Sequence, residues 1–318
     1  MAVNLPPTSR RRHRRPVRWW VWAVAGLVIA AAVTAIAFPL CLTQRLQRLS
    51  VPDTNPNAGT TWLVIGSDSR ERTPQGVGQA EFDPRGDIRG ARADVVLLIR
   101  RSEGGQTYTV SVPRDLVVTA SGVPVRLTST LSNGPAVTVR ALCETLQVGV
   151  DHVVIVDGAA FVNVVNALGG VGVSLERPVR DVDLGLDLPA GAQLLDGADA
   201  LRLVRTRHPE QLVGGRWTSG DDAAGAAWRA QWSAMVFTAV QEQVKAADPV
   251  TLARVAWTVS GDITVDDRAG LTDLMALARS VAAPTTLPVT RVNALAAAAD
   301  EDTVRSLARA DLNTGCRA

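Results

Sequence analysis

Lysine is all but missing from this chain: Lys245 is the only one among 33 basic residues, and arginine supplies the rest. Arginine abundance therefore carries no argument; only arginine placement does. Histidine is also scarce. His13, His152 and His208 are too scattered for a metal cluster, and Cys41, Cys143 and Cys316 lack zinc-site spacing. There is no internal repeat. No acidic residue accompanies Arg10, Arg11, Arg12, Arg14, Arg15 and Arg18, which all precede the first apolar run. Setting those six aside leaves 27 basic against 31 acidic residues. The rest of the chain thus lacks the positive surplus that duplex nucleic acid demands, and no nucleic-acid partner is expected. With 47% hydrophobic and 20% charged residues, the 318-residue chain is globular, enough for one large domain plus accessories.

Residues 19–42 contain no charge, and the run exceeds the ~20 residues needed to cross a bilayer. Trp19, Trp20 and Trp22 suit one interface. The arginine block should stay cytoplasmic, which sends everything beyond the span outside the cell. A cleaved signal peptide is the competing reading, but the run is longer than the ~7–15 residues of a signal h-region. Cys41 suggests a lipoprotein cleavage site, yet Leu40 is too large for the preceding position. Residues 43–59, with Pro52, Asn55, Pro56 and Asn57, read as a tether. It would hold the domain beside membrane lipid, where a lipid-borne substrate has a high effective concentration. The expected organisation is a cytoplasmic basic tail at 1–18, a transmembrane helix at 19–42, a linker at 43–59, a main domain at 60–285, and a segment at 286–318 packing on or trailing it.

Four polar stretches stand out: Gly66-Ser67-Asp68-Ser69-Arg70, Arg92-Ala93-Asp94, Pro113-Arg114-Asp115 and Arg205-Thr206-Arg207. Apolar runs at 62–65, 95–99 and 108–112 adjoin the first three and read as buried strands. The turn-like 101–106 segment predicts a hairpin between the second and third runs. Asp94 then begins one strand and Arg114 follows its antiparallel partner, so both fall at the same sheet end. Asp68 joins them if the first strand runs parallel to the third.

Helices are expected at 138–146, 159–168, 195–204, 223–245, 252–259 and 271–281. Strands are expected at 153–156, 171–175 and 290–292, and a polar loop at 181–191. The alternation predicts an α/β (α-β-α) fold, a central mixed sheet covered by helices on both faces, behind one N-terminal transmembrane helix. Cys143 and Cys316 would pair in an oxidising compartment or remain two separate thiols. His152 reads as structural.

In this order, the motifs resemble the LytR-CpsA-Psr family of membrane-anchored cell-wall glycopolymer ligases. The likeness runs over about residues 60–285 and adds Val150-Asp151-His152, Leu168-Gly169-Gly170-Val171 and Leu195-Asp196-Gly197-Ala198-Asp199-Ala200-Leu201. The resemblance implies transfer of a phosphate-linked glycopolymer from a polyprenyl diphosphate carrier to peptidoglycan, with a possible associated pyrophosphatase activity. It makes Asp68 and Asp94 the ligands of Mg2+, and Arg92, Arg114, Arg205 and Arg207 the phosphate-contacting residues. Arg126 stands where the family carries a further basic residue. Where the family has an Arg-Gln-Gln run, this chain has Trp228-Arg229-Ala230-Gln231, so Arg229 and Gln231 are the candidates.

These residue types suit the chemistry. Guanidinium forks match phosphate oxygens and never deprotonate. Magnesium takes a few carboxylates plus substrate oxygens. Arg205 and Arg207 share a face only if extended, so an extended segment is predicted there. Asp68 or Asp94 could act as base, in competition with metal ligation. Small side chains at 159–168 and 223–245 leave either a prenyl groove or a filled core. Two other functions compete: a non-enzymatic polyprenyl-phosphate-binding envelope protein, and a transcriptional attenuator, for which the tail before the span is too short to fold a DNA-binding domain.

Overall fold

The apolar runs that begin at Trp62, Val95 and Tyr108 become the centre of a seven-stranded mixed sheet. Its order is β1 (Gln47–Leu49), β14 (Thr264–Asp266), β7 (His152–Asp157), β2 (Thr60–Ser67), β3 (Ala93–Arg101), β4 (Thr107–Ser111) and β15 (Thr285–Thr286). β2 and β7 run parallel, β3 runs antiparallel to β2, and β4 antiparallel to β3. Thus β2 and β4 share a direction, and their C-terminal ends meet the start of β3. This computed structural model describes residues 37–78, 91–206, 208–220, 222–280, 284–293, 295–313 and 315–317.

Alternation along the strands sorts side chains to the two faces. Leu63, Ile65, Val96 and Leu98 face α1 (Pro135–Leu146) and α7 (Glu301–Arg309) through Val139, Leu142 and Leu307. Trp62, Ile99, Val154 and Val265 face α5 (Pro249–Asp262) and α6 (Leu271–Ser280) through Val259, Leu274 and Leu277. Helices therefore cover both faces. A second core forms where α2 (Gly158–Ala167), α3 (Gly197–Arg205) and α4 (Asp222–Ala246) meet the hairpin of β8 (Val171–Leu175) and β11 (Gly191–Leu195). Val165, Val171, Leu203, Trp232 and Val236 pack together in this core. Local signals start the helices: Asp157 caps α2 and Asp196 caps α3, while Asp248 caps α5 ahead of Pro249.

Smaller sheets decorate this frame. β5 (Val117–Ala120) pairs with β6 (Val123–Arg126), and β16 (Thr290–Asn293) with β17 (Ala296–Ala298). A four-stranded sheet has the order β10 (Leu186–Leu188), β9 (Val179–Asp181), β12 (Glu210–Val213) and β13 (Arg216–Ser219).

Two expectations change. The tether is partly built into the domain: β1 is the sheet's edge strand, Val51 is in the main core, and Thr54 and Asn55 are buried. Proline and asparagine mark turns equally well in a packed segment. The polar loop at 181–191 contains β10 and contributes Asp181 to β9, because Val179, Leu186 and Leu188 supply an apolar face that the polar residues between them mask. Among the described residues no helix is long and apolar enough to cross a membrane. Most of the 19–42 run lies outside them; residues 37–42 are helical. The chain divides into Met1–Cys41 and Leu42–Ala318.

The C-terminal segment returns to the core. Leu287, Leu307, Ala310 and Leu312 join the main cluster. Cys143 and Cys316 form a disulfide with a Cα–Cα separation of 5.6 Å. Arg100, 2% exposed, is satisfied by Ala58 O at 2.6 Å, Thr61 Oγ1 at 3.2 Å and the Asp311 carboxylate at 3.2 Å.

Candidate functional site

The C-terminal end of β2 carries an irregularity. Gly66 pairs with Val95 and Ser67 with Ala93, so Asp94 is an extra residue in a bulge. Bulges re-aim side chains at sheet edges. Glycine is required at 66, because a Cβ there would lie 2.9 Å from Val95 Cβ. Immediately beyond, Asp68 N donates to Arg92 O at 3.1 Å, and Arg92 N donates to Asp68 Oδ1 at 2.7 Å. Asp68 is half-buried and the Arg92 side chain is exposed.

From the other side comes the segment after β4. Val112 N donates to Val96 O at 2.8 Å, which carries the chain past the bulge. Arg114 Nη1 then donates to Asp94 Oδ1 at 3.0 Å. Asp115 sits between two guanidinium groups, 4.0 Å from Arg114 Nε and 3.9 Å from Arg126 Nη1. Thr128 N donates to Arg114 O at 2.9 Å and fixes the loop from below. Arg114 is 50% exposed and Asp94 33%, so the pair is accessible to a ligand. The structure brings Asp68, Arg92, Asp94, Arg114 and Arg126 to one sheet edge.

The remaining candidates are Arg205, Arg207, Arg229 and Gln231. Arg205 is the last residue of α3, which corrects the start of the predicted extended segment: the helix continues one residue further, and Thr206 leaves it at φ −49° and ψ 134°. Thr206 Oγ1 donates to Asp181 Oδ2 at 2.5 Å, anchoring the helix end. Arg205 lines a cavity of about 10 Å³ with Val77, Leu184, Leu201 and Arg202. Arg207 and the Arg229 side chain lie outside the described residues. Gln231 is exposed on α4. His152 is structural, as read: it stacks on Trp62 at 4.4 Å and its Nδ1 lies 3.2 Å from Asp266. The His208 Nδ1 lies 2.9 Å from Asp183.

One group escaped sequence reasoning. Arg72 donates to Asp157 Oδ2 through Nη2 at 2.7 Å, and to Asp262 Oδ1 through Nη1 at 2.9 Å. Asn163 Nδ2 donates to Asp262 Oδ2 at 2.9 Å. Asp157 is the β7 residue paired with Ser67. The clamp therefore ties the loop after Asp68 to the sheet end beside it and to the α5 terminus. Only the capping role of Asp157 leaves a mark in the sequence; its second oxygen's partner comes from 85 residues away.

Among the described residues, no group of three or more His, Cys, Asp or Glu side chains could hold a metal. Two carboxylates at one edge nonetheless fit magnesium, which uses one or two carboxylates and completes its shell with water and substrate phosphate. Asp68 and Asp94 each have one oxygen engaged by the protein, and the other is the oxygen a cation would take.

Fold and site together define a mixed α/β protein that gathers carboxylates and guanidinium groups at one sheet edge. The sequence model of the LytR_cpsA_psr family matches residues 42–307, and the chain belongs to that family. It is 31% identical over 192 residues to the probable cell wall biosynthesis protein LcpB of Corynebacterium glutamicum, covering 58% of this chain and 45% of that protein. It is 30% identical over 226 residues to the polyisoprenyl-teichoic acid–peptidoglycan teichoic acid transferase TagT of Bacillus subtilis, covering 63% and 67%. The match thus spans less than half the length of LcpB and about two thirds of TagT. Among solved structures, the LytR-Csp2A-Psr enzyme from Actinomyces oris superposes with a TM-score of 0.71 at 36% identity, covering 86% of this chain and 98% of that one. TagV of B. subtilis shares the fold at a TM-score of 0.56 and 17% identity, covering 79% and 94%.

Proposed function

We propose that this protein is a membrane-anchored phosphotransferase that moves a phosphate-linked glycopolymer from a polyprenyl diphosphate carrier to peptidoglycan. The observation that carries the reading is the convergence of Asp68, Arg92, Asp94 and Arg114 at one exposed sheet edge. The names of TagT and LcpB support a cell-wall glycopolymer as substrate. The Cys143–Cys316 disulfide supports an extracytoplasmic domain, because structural disulfides persist in oxidising compartments.

In this reading, an acceptor sugar hydroxyl attacks the phosphorus that bears the glycopolymer. A new P–O bond forms, the bond to the bridging oxygen breaks, and polyprenyl phosphate leaves. Arg114 exchanges part of its bond to Asp94 for the non-bridging oxygens, and Arg92 reaches the second phosphate. Asp115 lies between Arg114 and Arg126 and offsets their mutual repulsion, which lets both guanidinium groups stay at the edge that meets the diphosphate. The hydroxyl proton passes to a carboxylate at the edge, Asp94 or Asp68. Magnesium held by these two would add charge neutralisation as the leaving phosphate develops. Water in place of the sugar would give pyrophosphatase activity.

The test is a reconstituted transfer assay with a lipid-linked donor and peptidoglycan. Arg114→Ala should stop polyprenyl phosphate release while the fold survives; undiminished release would overturn the proposal. A second reading, a binder of polyprenyl phosphates without turnover, is motivated by the departure of Trp228-Arg229-Ala230-Gln231 from the family's Arg-Gln-Gln run. Tight carrier binding by the wild-type protein with no phosphate release would establish it instead.

A further inference from the structure

β1 fixes where the chain enters the domain. Gln47 pairs with Thr264, Thr264 with Ile155, and Ile155 with Ile65. β1 runs parallel to β14 and β14 antiparallel to β7, so β1 runs opposite to β2. It begins at the sheet end where β2 finishes. Residues 42–46 thus approach from the same edge that carries Asp68, Asp94 and Arg114.

At that entrance Arg45 lies over the Trp257 ring, 4.1 Å from its centroid. Arg45 also crosses the last turn of α5: its Nη2 lies 2.8 Å from where a Cβ on Gly261 would be. Gln47 Nε2 donates to Gly261 O at 3.3 Å. Trp257 remains 43% exposed. Arg254, one turn earlier on α5, is exposed as well. The result is an exposed indole under the Arg45 guanidinium, with Arg254 three residues before it on α5, and Arg45 stands three residues after the uncharged 19–42 run. α5 ends at Asp262, which holds Arg72 and through it the loop after Asp68.

We infer that Arg45, Arg254 and Trp257 form a docking surface for the head-group zone of an anionic phospholipid bilayer, and that this surface sets the cradle edge at head-group depth. Indole rings favour the membrane–water interface, and arginines beside them are drawn to anionic lipid. The sequence supplies the occupant's proximity: the uncharged run at 19–42 is long enough to span a bilayer, and Arg45 follows it by three residues. The inference rests on the membrane-anchored reading above. It adds which face meets the lipid, so that a diphosphate at the bilayer surface meets Arg114 without leaving the head-group layer.

The experiment uses the full chain in nanodiscs of phosphatidylcholine, with and without phosphatidylglycerol. Hydrogen exchange is followed in α5, and tryptophan emission is quenched by lipids brominated high in the acyl chain. Residues 254–258 should exchange more slowly in the anionic discs. Arg254→Glu should cut that protection roughly fivefold, the partition gain of one arginine at an anionic surface. Trp257→Phe should remove part of the quenched emission. Equal α5 exchange in both discs, with Trp257→Phe leaving quenching unchanged, would overturn the inference while leaving the anchored reading intact. Failure of the chain to enter discs at all would overturn both.

Discussion

Arg114 and Asp94 face each other across 3.0 Å at the open end of the β3–β4 hairpin, and Asp94 reaches that position because it is the extra residue in a bulge. The pair is half-exposed, and exposed pairs contribute ~0–1 kcal/mol to stability. Arg114→Ala should therefore leave the melting temperature within a few degrees of wild type. Transfer should fall by roughly 10²–10³, the cost of removing one group aimed at developing charge. A melting temperature that collapses with activity would assign the pair to structure.

Arg72 grips two carboxylates from different elements, so its removal leaves Asp157 and Asp262 facing each other without a cation. Arg72→Ala should cost roughly 1–2 kcal/mol, discounted for its partial exposure. Hydrogen exchange at residues 68–78 should accelerate more than in the sheet. Arg72→Lys should restore stability only in part, since an ammonium cannot fork between two carboxylates.

The disulfide spans a sequence separation of 173 residues and pins the C-terminal tail to α1. The tail also reaches the segment before β2 through Arg317 N and Thr54 O at 2.8 Å. Reduction, or Cys143→Ser, should lower stability by about 2–4 kcal/mol. Calorimetry with and without reductant reads the difference, and Cys316→Ser should give the same value.

Asp266 and Asp151 should move acid stability in opposite directions. Burial disfavours the Asp266 charge, but His152, Val153 N and Arg268 outweigh it and hold its carboxyl below the usual value. A lowered pKa gives stability that is full above about pH 3.9 and lost as pH falls through the folded value. Burial pushes the Asp151 carboxyl up despite hydrogen bonds from Thr61 and Asn55. Its charge therefore costs stability above its folded pKa, and that cost fades as pH falls toward 3.9. Denaturant titrations should show Asp266→Asn less stable at pH 7 with a flatter acid limb. Asp151→Asn should be neutral or more stable at pH 7.

Four strands of the central sheet, β2, β3, β4 and β7, were legible because each is an apolar run of β-formers, and their pattern is local. The hairpin at 101–106 then implied the shared edge of Asp94 and Arg114. Helices α1 to α6 announced themselves by length and spacing. Other features resisted for specific reasons. β1 is three residues long and draws its stability from β14, more than 200 residues away. β9 and β10 hide their apolar face among aspartates. Arg205 sits at a helix end whose stop depends on Thr206 reaching Asp181, a bond between distant segments.

By itself the sequence determined the family, the uncharged N-terminal run, the strand order of the central hairpin and the residue types available for gripping phosphate. Those properties follow from short-range pattern, which any window of the chain contains. Only the tertiary structure decided that Asp94 is re-aimed by a bulge, that Arg72 clamps the neighbouring loop, and that β1 begins at the same sheet end as the cradle. Each depends on where separated backbones cross, and that is set by packing both sheet faces at once.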